Sequence, residues 1–206
     1  MAGRLITIEG LDGCGKSTLV AGLAAELESR SLPVTALREP GGVQLAERLR
    51  DLVKDPSLQV NARAEALIYA AARAQLVGEV VLPLLEEGRC VLLDRYIDSS
   101  LAYQGAGRGL GIEAVAQIND FASGGLGADC TLYLRLDAAT RAERIGERGE
   151  AADRLELAGD DFFARAATAY DELAAAEPQR IHVLDAAAAP AAVLAAAIEA
   201  ISELLP

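Results

Sequence analysis

Short runs of aliphatic and β-branched residues alternate along the chain with longer stretches whose apolar positions recur at helical spacing. Five runs read as strands, at 5–8, 34–37, 90–93, 131–134 and 181–184. Several are continuously apolar, as strands covered on both faces are, which predicts a parallel sheet. The helical stretches fall at about 16–30, 44–54, 61–87, 97–104, 112–123, 138–147, 160–176 and 190–204. A repeated βα rhythm with right-handed crossovers follows, so the expected fold class is three-layer α/β/α around a five-stranded parallel sheet. Pro83 removes a helical donor and crowds the preceding turn, which predicts a kink or split within 61–87. The alanine-rich tail at 186–200 looks low in complexity, yet the spacing of Val193, Leu194, Ile198, Ile201, Leu204 and Leu205 predicts an amphipathic closing helix. With no internal repeat and no linker, one domain over 1–206 is expected.

In open sheets of this kind ligands lie beyond the carboxyl ends of the strands. That directs attention to 9–17, 38–42, 94–100, 137–154 and 185–190. The first exit carries Gly10-Leu11-Asp12-Gly13-Cys14-Gly15-Lys16-Ser17, a complete G-x-x-x-x-G-K-S between a strand and a helix. Glycines let the backbone fold into a nest whose N–H groups and helix dipole face phosphate oxygens. Lys16 is then expected to reach the outer phosphates and the Ser17 hydroxyl to ligate Mg²⁺.

The second exit carries Arg38-Glu39-Pro40-Gly41-Gly42, an arginine beside a tight turn, which alone reads equally as a solvated charge pair. The third carries Asp94-Arg95-Tyr96. Asp94 resembles a Walker B acid that holds Mg²⁺ through water, and Arg95 could grip a phosphate; a helix N-cap beside an ordinary ion pair is the plainer alternative. On the long helix Tyr69 and Arg73 share a face, either as a pocket pair or as a core ring and a surface cation. Arg141, Arg144 and Arg148 are spaced by three and four, with Arg154 following. They read as a mobile lid at about 141–158 that lowers arginines onto a transferring phosphoryl group, or as a solvated face paired with Glu143, Glu147 and Glu150. His182 reads as a packing or surface residue.

Composition narrows the field. The 206 residues suffice for a sizeable core, and a net charge of -12 argues against a nucleic-acid partner, which needs a concentrated basic face. No uninterrupted apolar run approaches the ~18 residues of a membrane span, so no membrane partner and a cytoplasmic location are expected. Cys14, Cys90 and Cys130 are three widely spaced cysteines, as expected of reduced thiols, and a single His nearly excludes clustered zinc ligation.

EGLDGCGKST, REPGG, YAAARAQ, LLDRYIDSSLAYQG and RAERIGERGEAADRLE occur in the order that resembles bacterial thymidylate kinases, nearly over the whole length. REPGG and DRY with SS and AYQG lie outside the generic phosphate loop and set this family apart from adenylate, guanylate and shikimate kinases. The resemblance implies a P-loop nucleoside monophosphate kinase fold and transfer of the γ-phosphoryl of ATP to dTMP, toward dTTP, with Mg²⁺ bridging the donor phosphates. ATP would lie on the loop through Gly10, Asp12, Gly13, Cys14, Gly15, Lys16, Ser17 and Thr18, with Arg144 from the lid. The dTMP phosphate would meet Arg38, beside Glu39 and Pro40, and Arg95. Thymine would stack on Tyr69 and accept from Arg73, with Ser99, Ser100 and Gln104 nearby. Tyr103 would close the 2′ side of the sugar. Asp12 would approach the 3′-hydroxyl or, with Ser17 and Asp94, the Mg²⁺ sphere. Lys16, Asp12, Arg95, Arg148 and Arg154 would be catalytic. Gly13 stands where the eukaryotic type carries a loop arginine, so the bacterial type with lid arginines is implied. The segment after Arg148-Gly149 is slightly longer than the family pattern, which leaves open whether Arg144, Arg148 or Arg154 meets the γ-phosphate. A homodimer is also implied, with the long helix as its face.

Two rivals remain at this stage. One is a P-loop switch module without small-molecule turnover, although no Asn/Thr-Lys-x-Asp run for guanine selection is present. The other is a kinase for a nucleoside or other metabolite, for which Arg38 and Arg95 would have no phosphate to hold.

Overall fold

The computed structural model describes residues 3–147 and 153–205. Five parallel strands, β1 (Arg4–Glu9), β2 (Val34–Arg38), β3 (Cys90–Asp94), β4 (Cys130–Arg135) and β5 (Ile181–Asp185), lie in the order β2-β3-β1-β4-β5. The pairing registers Ile8 with Asp94 and Arg38 with Asp94, so the exits of β1, β2 and β3 end level with one another. The sheet order reverses at β1, and the crevice above that strand is where the topology opens for a ligand.

Strand alternation divides the core. Ile6, Ile8, Leu92, Leu132 and Leu134 point to the face covered by α1 (Lys16–Ser29) and α9 (Pro190–Ile201). On the other face Leu5, Val91 and Leu93 pack against α2 (Gln44–Lys54) and α3 (Ala62–Leu76), while Tyr133 and Ile181 pack under α8 (Asp160–Ala176). The same alternation sends Thr7 and Glu9 to that second face, both fully buried, where Thr7 shares a 2.7 Å hydrogen bond with Thr131. The closing helix is as expected, with Val193 and Ile201 buried.

Two helices depart from the expected pattern. Of the kink or split expected at Pro83, the split does not occur: α3 runs through a π-helical turn (Val77–Val81) into α4 (Leu82–Glu86), with Pro83 in the first turn of α4. Proline has no N–H to give the preceding turn, and the wider turn lies where that donor is missing, so the helix runs past the proline without ending. The short α5 (Ile97–Ser100) continues as a second π-helical stretch, Leu101–Gly107, three residues past the expected end at 104. The continuous helix Ala62–Glu86 is long and apolar enough by length and composition to cross a membrane. It packs along one side against α2 and α6 (Ile112–Ser123) and carries the buried charges Glu65 and Arg73. The remaining helix, α7 (Ala138–Glu147), follows β4.

Candidate functional site

The loop after β1 depends on residues that tolerate positive φ. Gly15 caps α1 with φ 95, and at Gly10, with φ 134, an added Cβ would lie 2.6 Å from the Leu134 carbonyl oxygen. The buried Lys16 folds back over this loop, its Nζ donating to the carbonyls of Gly10 (3.1 Å) and Leu11 (2.9 Å). Ser17 Oγ donates to Asp94 Oδ2 at 3.1 Å, so the hydroxyl and the carboxylate expected near a divalent ion stand side by side. Cys14 is buried in the core, and Thr18 is exposed at the mouth of the loop.

Arg95 is the pivot of the site. It adopts φ 71, a left-handed conformation that is costly for a side-chain-bearing residue. Hydrogen bonds on both sides hold it there: Arg95 N donates to Ile8 O at 3.0 Å, and Tyr96 N donates to Glu9 Oε1 at 2.7 Å. The turn aims the guanidinium at Asp12 (2.7 Å), Gly10 O (3.0 Å) and Ser99 Oγ (3.1 Å), with its carbon 5.1 Å from the Tyr103 ring centre. Burial alone would raise the Asp12 carboxyl, but Arg95, with Lys16 and Arg141, holds it well below the usual carboxylate range. Its oxygens face Arg95 and the Tyr103 hydroxyl rather than joining the Ser17–Asp94 pair.

Glu9 escaped the sequence reading. It is fully buried and accepts from Tyr96 N, Ser99 Oγ (2.5 Å) and Tyr170 OH (2.9 Å), so it pins the turn that carries Arg95. Burial, then Asp98, push its carboxyl upward.

A second cluster forms around Arg73, which is 2% exposed. Its guanidinium meets Glu39 Oε2 (2.6 Å), Ser100 Oγ (3.1 Å), the Tyr96 carbonyl (2.9 Å) and Asn119. All three guanidinium nitrogens are therefore engaged within the protein, as a buried cation requires. The surface-cation alternative for Arg73 is overturned by that burial. Among the described residues Glu39 Oε1 is buried without a hydrogen-bond partner, and burial, against the opposing Arg73, pushes the carboxyl up to about 7. The Glu39–Pro40 peptide is cis.

Three adjoining cavities follow from these turns. The first, about 90 Å³, lies between Tyr69, Arg73, Ser100, Tyr103 and Gln104, with Pro40 at its edge. The second, about 530 Å³, is walled by Leu134, Ala186, Ala188, Pro190 and Leu194, with Gly13 and Gly15 at its inner end. The third joins them across Lys16, Ser17, Thr18 and Asp94. Asp12 and Arg95 line both the first and the third, so they stand at the junction.

Most of the expected residues converge here, with differences. Arg38 is more than half exposed and pairs with Glu47 at 2.8 Å, facing the joining cavity and not the first one. Arg144 lines both the second and the third cavities. Arg141 lies behind the loop, donating to Asp12 O and stacking 3.8 Å over Phe163. Arg148 lies outside the described residues. Arg154 is not at the phosphate loop: Nε donates to Val53 O at 2.8 Å, and Nη2 pairs with Glu65 at 2.7 Å, because a buried carboxylate draws it away. The solvated-face reading therefore does not hold for Arg154, which is mostly buried.

Arg50 and Lys54, which line both the first and the third cavities, were missed. Their i, i+4 spacing on the helix following REPGG was the available signal. Asp153 and Leu155 also line the first cavity, and no local pattern marks them.

Comparison with known proteins adds four findings. The thymidylate kinase family model matches residues 8–197. The thymidylate kinase of Pelotomaculum thermopropionicum is 44% identical over 206 residues, covering 100% of this chain and 95% of that protein. That of Deinococcus radiodurans is 49% identical over 184 residues, 89% of each chain. A crystal structure of thymidylate kinase from Ehrlichia chaffeensis superposes with a TM-score of 0.79 at 27% identity, over 98% of this chain and 99% of that one.

Proposed function

Because the chain belongs to the thymidylate kinase family, we propose that it transfers the γ-phosphoryl group of ATP to dTMP, giving ADP and dTDP. The observation that carries this reading is the continuity of the cleft. A cavity lined by Tyr69 and Gln104 meets a glycine-rich nest through the Asp12–Arg95 pair. Two nucleotides laid phosphate to phosphate fill such a cleft, and the nest, Lys16 and Arg95 provide for their combined negative charge. A nucleoside kinase would bring no acceptor phosphate for Arg95 and Arg50, which line the acceptor cavity, to hold.

Phosphoryl transfer passes through a loose transition state, so alignment and charge neutralisation do most of the work. The acceptor is already an anionic phosphate oxygen, and no general base is needed. The loop amides hold the donor phosphates, and Lys16 swings from the Gly10 and Leu11 carbonyls onto the outer ones. Arg95 holds the acceptor phosphate in line, and Arg144 approaches the transferring group from the donor side. Thymine lies against Tyr69 with Gln104 and Ser100 at its edge; Arg73 reaches the base carbonyl by exchanging one of its present partners. Tyr103 packs beside the sugar, and Asp12 reaches the 3′-hydroxyl.

Ser17 and Asp94 would hold Mg²⁺. The oxygen pair fits, since Mg²⁺ takes one or two protein oxygens together with water and phosphate, and among the described residues no cluster of three acidic, His or Cys side chains forms a fuller cage. When bound, the ion withdraws charge from the β- and γ-phosphate oxygens. The segment 141–158 acts as the lid, a part of a single kinase domain. A cytoplasmic homodimer is our reading of the assembly, supported by exposed Leu67 on α3 and Phe121 on the adjoining α6.

Coupled ADP release with dTMP, dUMP, dGMP, CMP and UMP tests the reading. Fastest turnover is expected with dTMP, and best turnover with a purine monophosphate would refute the thymine assignment. Tight ATP binding with no monophosphate-dependent ADP release would favour a nucleotide-binding module.

A further inference from the structure

Glu65 belongs to none of the motifs above. It lies on α3 one turn before Tyr69 and is fully buried. Its Oε1 accepts from Gln104 Nε2 at 2.9 Å and from Arg108 Nε at 3.1 Å; its Oε2 accepts from Arg108 Nη2 at 3.0 Å and pairs with Arg154 Nη2 at 2.7 Å. One carboxylate thus ties α3, the second π-helical stretch and the segment after residue 152 together. Burial alone would raise its carboxyl, but the donors, Arg108 foremost, lower it, so it is ionised at neutral pH.

An ionised carboxylate only accepts hydrogen bonds. Gln104 must therefore turn Nε2 toward Glu65, because the reverse orientation would set its carbonyl oxygen against a buried anion. Gln104 Oε1 receives no hydrogen bond from the described residues, and Gln104 lines the first cavity. The free end of the amide that faces a ligand is consequently an acceptor. On the other side, Arg154 is anchored by the Val53 and Lys54 carbonyls as well as by Glu65, and its neighbours Asp153 and Leu155 line the same cavity.

We propose that Glu65 is a positioning residue for the acceptor base: it fixes the polarity of the Gln104 amide so that Oε1 meets the ring N–H of a thymine- or uracil-type base, and through Arg154 it seats residues 153–155 at the same cavity. The inference rests on the thymidylate kinase reading. Contact between Gln104 and the base follows from the family resemblance, whereas the part played by Glu65 follows from this network. A cytosine-type ring has a lone pair where thymine has N3–H, so a fixed Oε1 opposes it. Turning the amide to suit cytosine would sacrifice the charge-assisted bond to Glu65.

The test is Glu65→Gln in the full chain, with kcat and KM measured for dTMP, dCMP and ATP. A glutamine at 65 can donate or accept, so the Gln104 amide is released. The KM for dTMP is expected to rise about tenfold, and the ratio of kcat/KM for dTMP over dCMP to fall about tenfold, with the KM for ATP within about twofold of wild type. A purely structural role would lower thermal stability and leave that ratio unchanged, and an unchanged ratio overturns the proposal. Arg154→Met, which keeps the Glu65–Gln104 bond, serves where Glu65→Gln does not fold. It should raise the KM for dTMP while preserving the ratio, and loss of the ratio there would contradict the role given to Glu65. A wild-type enzyme that turns over dCMP as well as dTMP would sink the thymine assignment on which this inference rests, whereas preference retained in Glu65→Gln sinks this inference alone.

Discussion

On the donor side the cleft is made of backbone and small apolar side chains: a glycine nest, then a wall of Ala186, Ala188, Pro190 and Leu194 around about 530 Å³. On the acceptor side a cavity of about 90 Å³ is bounded by cross-linked polar side chains, with Arg73, Glu39 and Gln104 all buried and ion-paired or hydrogen-bonded, Gln104 to the buried Glu65 behind it. The contrast teaches that the two nucleotides are read by different physics. Phosphates are alike in every nucleotide triphosphate, and backbone amides suffice for them. A base must be told from its analogues, and buried polar groups achieve that because a wrong partner leaves them unpaired.

Removing Lys16 attacks the donor side where a single side chain matters most. Lys16→Ala should lower kcat about 10²–10³-fold, as loss of one preorganised electrostatic donor does, with dTMP affinity by titration calorimetry largely kept. Preserved kcat would contradict the role of the loop.

Arg95→Ala strikes the junction from the acceptor side. Loss of a charged contact worth about 2–3 kcal/mol should raise the KM for dTMP roughly 10²-fold, with the KM for ATP changed less than about threefold. Equal effects on both substrates would remove Arg95 from the acceptor subsite.

Glu39 sharpens the comparison through pH and stability. Its carboxyl rises from an ordinary 4.5 to about 7 on burial, so the folded protein binds that proton more tightly than the unfolded chain. Stability therefore falls as pH rises between those values and levels off above them. Relative to Glu39→Gln, the wild type should lose up to about 3 kcal/mol between pH 5 and pH 8 in thermal or denaturant unfolding. Parallel pH profiles would mean that Arg73 neutralises Glu39 across the whole range.

The same contrast governs what could be read from the chain. The five strands and the phosphate loop are local patterns, and they stand where periodicity and spacing put them. Tyr69, Arg73, Arg95 and Gln104 were legible through motif order, and the structure gathers them at one cavity. Glu9 and Glu65 carried no local mark, because a buried carboxylate acquires its meaning only from partners tens of residues away in sequence, such as Tyr170 or Arg154. Arg154 was misread for the same reason: its place just after Arg141, Arg144 and Arg148 put it with the lid cations, whereas a distant anion sets its position. Pro83 was read as a kink or a split, since the pattern cannot show that a π-helical turn carries the helix past it.

A matched pair of base exchanges tests the central claim most directly, with kcat/KM measured for GTP in place of ATP and for dCMP in place of dTMP. The account predicts a loss of less than about tenfold on the donor side, where the wall is apolar, and of about 10³-fold or more on the acceptor side, where buried polar groups lose their partners. A larger penalty for the donor exchange than for the acceptor exchange would contradict it.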